Sequence, residues 1–189
     1  MDKIKRLMVL LIIASLSGFI SCGNASSDID GNTSLMIAAA KSERRMVKTY
    51  LAFGADVNGT NRYGMTALMR AAECRDPEIV KDLLAKGANV NIKASGGWNA
   101  VMAAASKGRV ENLKILIDAG GNINSSNDSG YTPLMFAIQL GRVEVVKILI
   151  ANKVEVNRKN IYGYSALTLA KHFNNSEIIK LLEDAHATE

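Results

Sequence analysis

Residues 124–157 read NSSNDSGYTPLMFAIQLGRVEVVKILIANKVEVN, and the same grammar recurs on both sides of this stretch at one fixed spacing. Glycines stand at Gly31, Gly64, Gly97, Gly130 and Gly163, each 33 residues from the last, and Asn58, Asn91, Asn124 and Asn157 keep the same step. A constant period of this size means stacked supersecondary units, none of which buries its apolar face alone.

Within one unit, Thr132-Pro133 opens a first helix: a hydroxyl at the N-cap accepts from an exposed backbone N–H, and proline at the next position loses no bond. Thr33, Thr66, Asn99 and Ser165 repeat the cap. Asp76-Pro77-Glu78 opens a second helix in the same way, and Glu111, Glu144 and Glu177 hold the corresponding acid, favourable to the helix dipole. These aligned glutamates lie a whole repeat apart and are read as helix-start residues, not a catalytic pair. Ala38-Ala39, Ala71-Ala72 and Ala103-Ala104 let thin first helices approach, and Val80, Leu83, Leu84, Val146, Leu149 and Ile150 fill the layer behind them. The column Met36, Met69, Met102 and Met135 is read as adaptable core filler, not as a metal site. Two positions look weak. Asn112 replaces an apolar residue, and Lys153 replaces the helix-ending glycine present as Gly54, Gly87 and Gly120.

Tyr131-Thr132-Pro133-Leu134, then Gly141-Arg142, Val143 to Ile150 and the closing Val156-Asn157 resemble an ankyrin repeat. Met65-Thr66-Ala67-Leu68 with Gly87-Ala88-Asn89-Val90-Asn91, and Tyr164-Ser165-Ala166-Leu167 with Ile178-Ile179-Lys180-Leu181-Leu182, keep the frame. The resemblance covers residues 28 to about 185. It implies an all-α solenoid of five helix-turn-helix repeats joined by β-hairpin loops, occupying residues 31–186. Where the family usually has a histidine after the Leu of its opening motif, this chain has the methionine column and then Thr168.

Residues 1–21 form a separate object. Lys3, Lys5 and Arg6 precede the apolar run Leu7 to Ile20, which is 14 residues long and short of the roughly 20 that a spanning helix needs, so a signal peptide is expected. Phe19-Ile20-Ser21-Cys22 resembles a bacterial lipobox, which implies that Cys22 is lipidated and becomes the mature N-terminus. Cleavage nearby, for instance after Ala25, is the alternative. Residues 22–30 then make a short tether to an exported array facing the periplasm or the cell exterior. With Cys22 acylated, Cys74 has no cysteine to pair with, and packing must hold the fold.

The 189-residue chain has 23 basic and 18 acidic side chains, a net charge of +5. Without residues 1–21 these become 20 and 17, a net charge of +3, scattered through every repeat instead of clustered in a stripe. Nucleic acid is therefore not an expected partner. The histidines are His172 and His186, and no Gly-rich phosphate loop or His/Cys metal spacing occurs. No enzyme, cofactor or metal is expected.

The ankyrin resemblance implies binding to another protein through hairpin tips and first-helix faces, with the module itself a monomer. The usual contact positions fall on Arg62, Tyr63, Met65, Glu73 and Lys93 in repeat 2, and on Ser95, Trp98, Ser106 and Lys107 in repeat 3. Repeat 4 supplies Asp128, Tyr131, Gln139, Leu140 and Lys159, and repeat 5 supplies Ile161, Tyr162, Tyr164, His172 and Phe173. Independently, the sole Trp and four of the five Tyr lie at hairpin positions. Trp98 and Tyr131 read equally as partner contacts or as packing on a neighbouring hairpin, whereas Tyr63 and Tyr162 read as contacts, since aromatics anchor interfaces. The function expected is a membrane-tethered exported adaptor. A secreted or surface effector that meets a host protein, or a structural or accessory subunit of an exported enzyme, stand as alternatives.

Overall fold

Five polar side chains at one position of the repeat start five helices. In the computed structural model, which describes residues 30–188, Thr33, Thr66 and Thr132 accept through Oγ1 from the N–H of Met36 (3.2 Å), Met69 (3.2 Å) and Met135 (3.3 Å). Asn99 Oδ1 accepts from Met102 N–H at 2.9 Å, and Ser165 Oγ from Thr168 N–H at 3.2 Å. The first helices are α1 (Ser34–Ala40), α3 (Ala67–Glu73), α5 (Ala100–Lys107), α7 (Pro133–Gln139) and α9 (Ala166–His172). Second helices follow each: α2 (Arg44–Ala52), α4 (Pro77–Ala85), α6 (Val110–Asp118), α8 (Val143–Ala151) and α10 (Ser176–Asp184). The expected signal peptide, Cys22 and the expected tether up to residue 29 lie outside the described residues.

First helices pack on first helices and second on second, so the chain is a two-row solenoid of five repeats. The alanine pairs, the methionine column, Val80, Leu83, Val146 and Leu149 are buried between the rows; Leu84 and Ile150 are half-buried at its edge. Each repeat is stitched to the next by the asparagine column. Asn58 Nδ2 donates to Gly87 O at 3.1 Å while its Oδ1 accepts from Asn89 N–H at 2.7 Å. Asn91 makes the same two bonds to Gly120 O and Asn122 N–H, and Asn157 makes them to His186 O and Thr188 N–H. The period of these asparagines is thus the period of an inter-repeat clamp.

The loops between repeats are tight turns and not strand ladders: no strand occurs among the described residues. Each tip closes with two backbone bonds, as from Asn61 N–H to Met65 O (3.1 Å) with Gly64 N–H to Asn61 O (2.9 Å), and from Asn160 N–H to Tyr164 O (3.0 Å) with Gly163 N–H to Asn160 O (3.0 Å). One further bond joins each tip to the one before it, from Arg62, Ser95, Asp128 and Ile161 N–H to the carbonyls of Asp30, Tyr63, Gly96 and Ser129. At Gly97 a Cβ would stand 2.8 Å from Asn127 Cα, and at Gly130 2.9 Å from Asn160 Cα. The glycine period therefore marks close backbone approach between adjacent tips.

Lys153 has φ +59°, as expected from its place at a helix-ending glycine position, and Asn152 stays at φ −89°. His186 takes the same left-handed conformation in repeat 5. Asn112, in contrast, is not a weak spot. It is buried, and its Nδ2 donates to Ala71 O (3.2 Å), Ala72 O (3.1 Å) and Cys74 O (2.8 Å). In the other repeats the first helix ends through a left-handed residue, Ser42, Gly108, Gly141 or Asn174, whose N–H and that of the next residue both donate back to the helix, as Gly108 and Arg109 N–H do to Ala105 and Ala104 O. Repeat 2 has Arg75 at that position and Cys74 runs extended (φ −81°, ψ 170°). Among the described residues, neither Arg75 nor Asp76 N–H returns to the helix, and the Asn112 amide takes their place.

The outer face of the second helices carries exposed ion pairs. Glu78, Glu111 and Glu144 each accept from the lysine three residues on, at 2.8, 2.9 and 2.9 Å. Arg44 spans from repeat 1 to Asp82 (2.8 Å) and Glu78 (3.1 Å), and Lys147 spans to Glu177 (3.0 Å). The hydrogen bond from Lys81, with the charges of Lys81 and Arg44, holds the Glu78 carboxyl below the ordinary glutamate range. Such exposed pairs contribute little each.

Candidate protein-binding surface

Two kinds of exposed position recur along the stack: the turn tips and the C-terminal ends of the first helices. At the tips, an asparagine side chain holds the loop rigid. Asn61 Oδ1 accepts from both Tyr63 and Met65 N–H (3.0 Å each), and Asn160 Oδ1 from both Tyr162 and Tyr164 N–H (3.0 Å each). Tyr63 and Tyr162 are thereby presented to solvent from a fixed backbone, 53% and 63% exposed. Tyr63 Oη donates to Asp30 Oδ1 at 3.3 Å; among the described residues the Tyr162 hydroxyl has no such partner.

Trp98 and Tyr131 behave differently. Both are half-buried, and their rings flank Phe136 of α7, Trp98 edge-on at 4.9 Å between centroids and Tyr131 tilted at 5.6 Å. The two rings therefore pack across repeats 3 and 4, leaving only part of each to a partner. Met65 and Glu73 are also half-buried, and the Glu73 carbonyl accepts from Arg109 Nε at 2.8 Å. Ser106 is buried, its hydroxyl donating to Ala103 O at 3.0 Å, so it does not reach a partner.

Arg62, Lys93, Lys107, Gln139, Leu140, Tyr164 and Phe173 are exposed. Lys93 Nζ donates to Ser126 O at 3.3 Å and so leans onto the next tip. Leu140 and Phe173 follow α7 and α9 at the same position of adjacent repeats, and His172 meets Phe173 edge-on at 5.1 Å. Ile161, at the outermost tip, is 67% exposed.

Two features escape a reading of the sequence. Phe136 is the hub of the aromatic cluster; its signal is a lone aromatic where the neighbouring repeats carry Ala103 and Leu169. Phe53 follows α2 and is 57% exposed, with no partner-facing position to explain it.

Grooves run between successive helix-helix turns, one of about 350 Å³ between repeats 3 and 4, lined by Lys107, Arg109, Arg142 and Glu144 among others. Arg109 and Arg142 spend Nε on the backbone carbonyls of Glu73 and Ser106, tying repeat to repeat. No group of three or more His, Cys, Asp or Glu side chains converges on a metal-sized space among the described residues.

Compared with known families, the chain matches the model of ankyrin repeats (3 copies) over residues 6–94, 80–160 and 101–188. No curated protein matches it.

Proposed function

The chain belongs to the ankyrin-repeat family, a fold of interaction modules, and from that premise we propose that it is a membrane-tethered exported adaptor that binds another protein through the tips and first-helix ends of its repeats. The observation that carries the binding reading is the set of exposed aromatic and aliphatic side chains held on rigid turns, above all Tyr63 and Tyr162. A surface already ordered before binding loses little conformational entropy when a partner arrives. The work asked of the chain is recognition, and no residue has to move a proton or hold a cofactor. Fold analogy supplies the class of function and leaves the partner to be identified.

The tethering half of the proposal stands on sequence alone: basic Lys3, Lys5 and Arg6, the apolar run Leu7 to Ile20, and Cys22. A single fatty chain holds a protein only marginally at a membrane, whereas several on one cysteine hold it stably. Residues 23–30 reach about 28 Å when extended at about 3.5 Å each, which keeps the array near the membrane surface. Cys22→Ala should abolish fatty-acid labelling and release the array from membranes; unchanged labelling and partitioning would reject the tether. Affinity purification from detergent-solubilised membranes, read by mass spectrometry, identifies the partner, and a copurifying exported enzyme would favour the accessory-subunit reading.

A further inference from the structure

The exposed apolar side chains are unevenly spread. Among the described residues, five of the seven large exposed ones are Leu140, Ile161, Tyr162, Tyr164 and Phe173, all in repeats 4 and 5. Repeat 3 separates them from Tyr63, because its tip is Ser95-Gly96-Gly97 and the ring that follows, Trp98, is half-buried against Phe136. They form two groups at the two ends of α9: the tip residues before it, and Leu140 with Phe173 after it. Tyr164 and Phe173, nine residue steps apart across α9, stand roughly 14 Å from each other at about 1.5 Å per residue. That span is about four residues of extended chain at about 3.3 Å each.

Each group has a cation beside it. Lys107 occupies in repeat 3 the position that Leu140 and Phe173 occupy in repeats 4 and 5, and Lys159 lies two residues before Ile161. Both are exposed, and neither forms an ion pair among the described residues. Asp128 is the one acid at the tips of repeats 4 and 5, residues 127–131 and 160–164. The tip also offers a backbone acceptor: the carbonyls of Asp30, Tyr63, Gly96 and Ser129 each take an N–H from the next tip, while that of Tyr162 receives none from the described residues.

We propose that repeats 4 and 5 dock a short extended segment of a partner protein, with apolar side chains about four residues apart and acidic residues beside them. This rests on the binding-module reading above and narrows it to one half of the surface and one chemistry. The apolar side chains of the segment cover Tyr162 with Ile161 at one end and Leu140 with Phe173 at the other. Its carboxylates meet Lys159 and Lys107, and a backbone N–H donates to Tyr162 O. Steering by the two lysines makes binding salt-sensitive.

An array of synthetic 12-residue peptides, varied in apolar spacing and in flanking charge and probed with the full chain in detergent, tests this. Acidic-apolar peptides should bind at least tenfold better than the same peptides with Lys in place of Glu. Tyr162→Ala with Phe173→Ala should remove that binding, Lys107→Glu with Lys159→Glu should reverse the charge preference, and Phe53→Ala, at an exposed ring away from this surface, should leave it unchanged; all variants should melt as the wild type. No charge preference, or a preference that survives the Tyr162/Phe173 pair, overturns the inference. Binding that Phe53→Ala alone abolishes would overturn it too while leaving the module reading standing. Light scattering that shows the chain pairing with itself through Tyr162 and Phe173 would equally replace it.

Discussion

Asn112 Nδ2 lies 2.8 Å from the carbonyl oxygen of Cys74, a residue one repeat earlier, and closes a helix that its own repeat leaves open. The two are matched. Arg75 avoids the left-handed conformation that Gly108 and Gly141 adopt at the same position, so the turn runs extended and loses two backbone donors. A buried amide from the next repeat restores the bonds.

Asn112→Ile, which installs the residue found at the equivalent positions 79 and 178, should therefore destabilise the array by about 2 kcal/mol, because the carbonyls of Ala72 and Cys74 are left without donors while Ala71 O keeps only the Cys74 N–H. Arg75→Gly should recover part of this loss in the double variant by allowing the turn of the other repeats. Equilibrium denaturation of the four proteins of this cycle measures the coupling; additive effects would break the link between the turn and Asn112.

Lys153 at φ +59° keeps a Cβ in the left-handed region, where it costs roughly 1 kcal/mol. Lys153→Gly relieves that strain and adds some freedom to the unfolded chain. The balance predicts a gain of about 0.5 to 1 kcal/mol, read from chemical denaturation of both proteins. Equal or lower stability would reject the strained-lysine account.

Trp98 and Phe136 stand edge-on across repeats 3 and 4. An edge-to-face pair adds about 0.5–1.5 kcal/mol beyond the area it buries. Trp98→Ala should accordingly lower the melting temperature and remove the sole tryptophan emission, and a Trp98→Phe variant should recover most of the stability. A melting curve unmoved by Trp98→Ala would assign the ring to partner contact instead.

The parts of this structure that follow local rules are legible in the sequence: Thr66 or Asn99 caps the helix that begins one residue later, and Met69 or Met135 falls on a buried helical face. The glycine and asparagine periods announce the repeat, although only the structure shows that Gly130 marks a close backbone approach and Asn91 a clamp. Asn112 is misread for a physical reason. Its acceptors lie 38 to 41 residues earlier in the chain, and no local pattern couples an arginine in one turn to an amide in the next repeat. Trp98 and Tyr131 follow the same logic, since the ring they share belongs to another helix. Tyr63 and Tyr162 were legible as exposed tips because rigid turns leave them no other place to go.

The central claim is that this surface binds a protein, and the most direct measurement is the affinity of the chain for the partner captured from solubilised membranes, with and without Tyr63→Ala and Tyr162→Ala. Truncated hot spots typically cost about 2 kcal/mol or more, so the pair should weaken binding more than tenfold while the melting curve stays in place. Undiminished binding by a folded double variant, or an array that unfolds when these two rings are removed, would contradict the account.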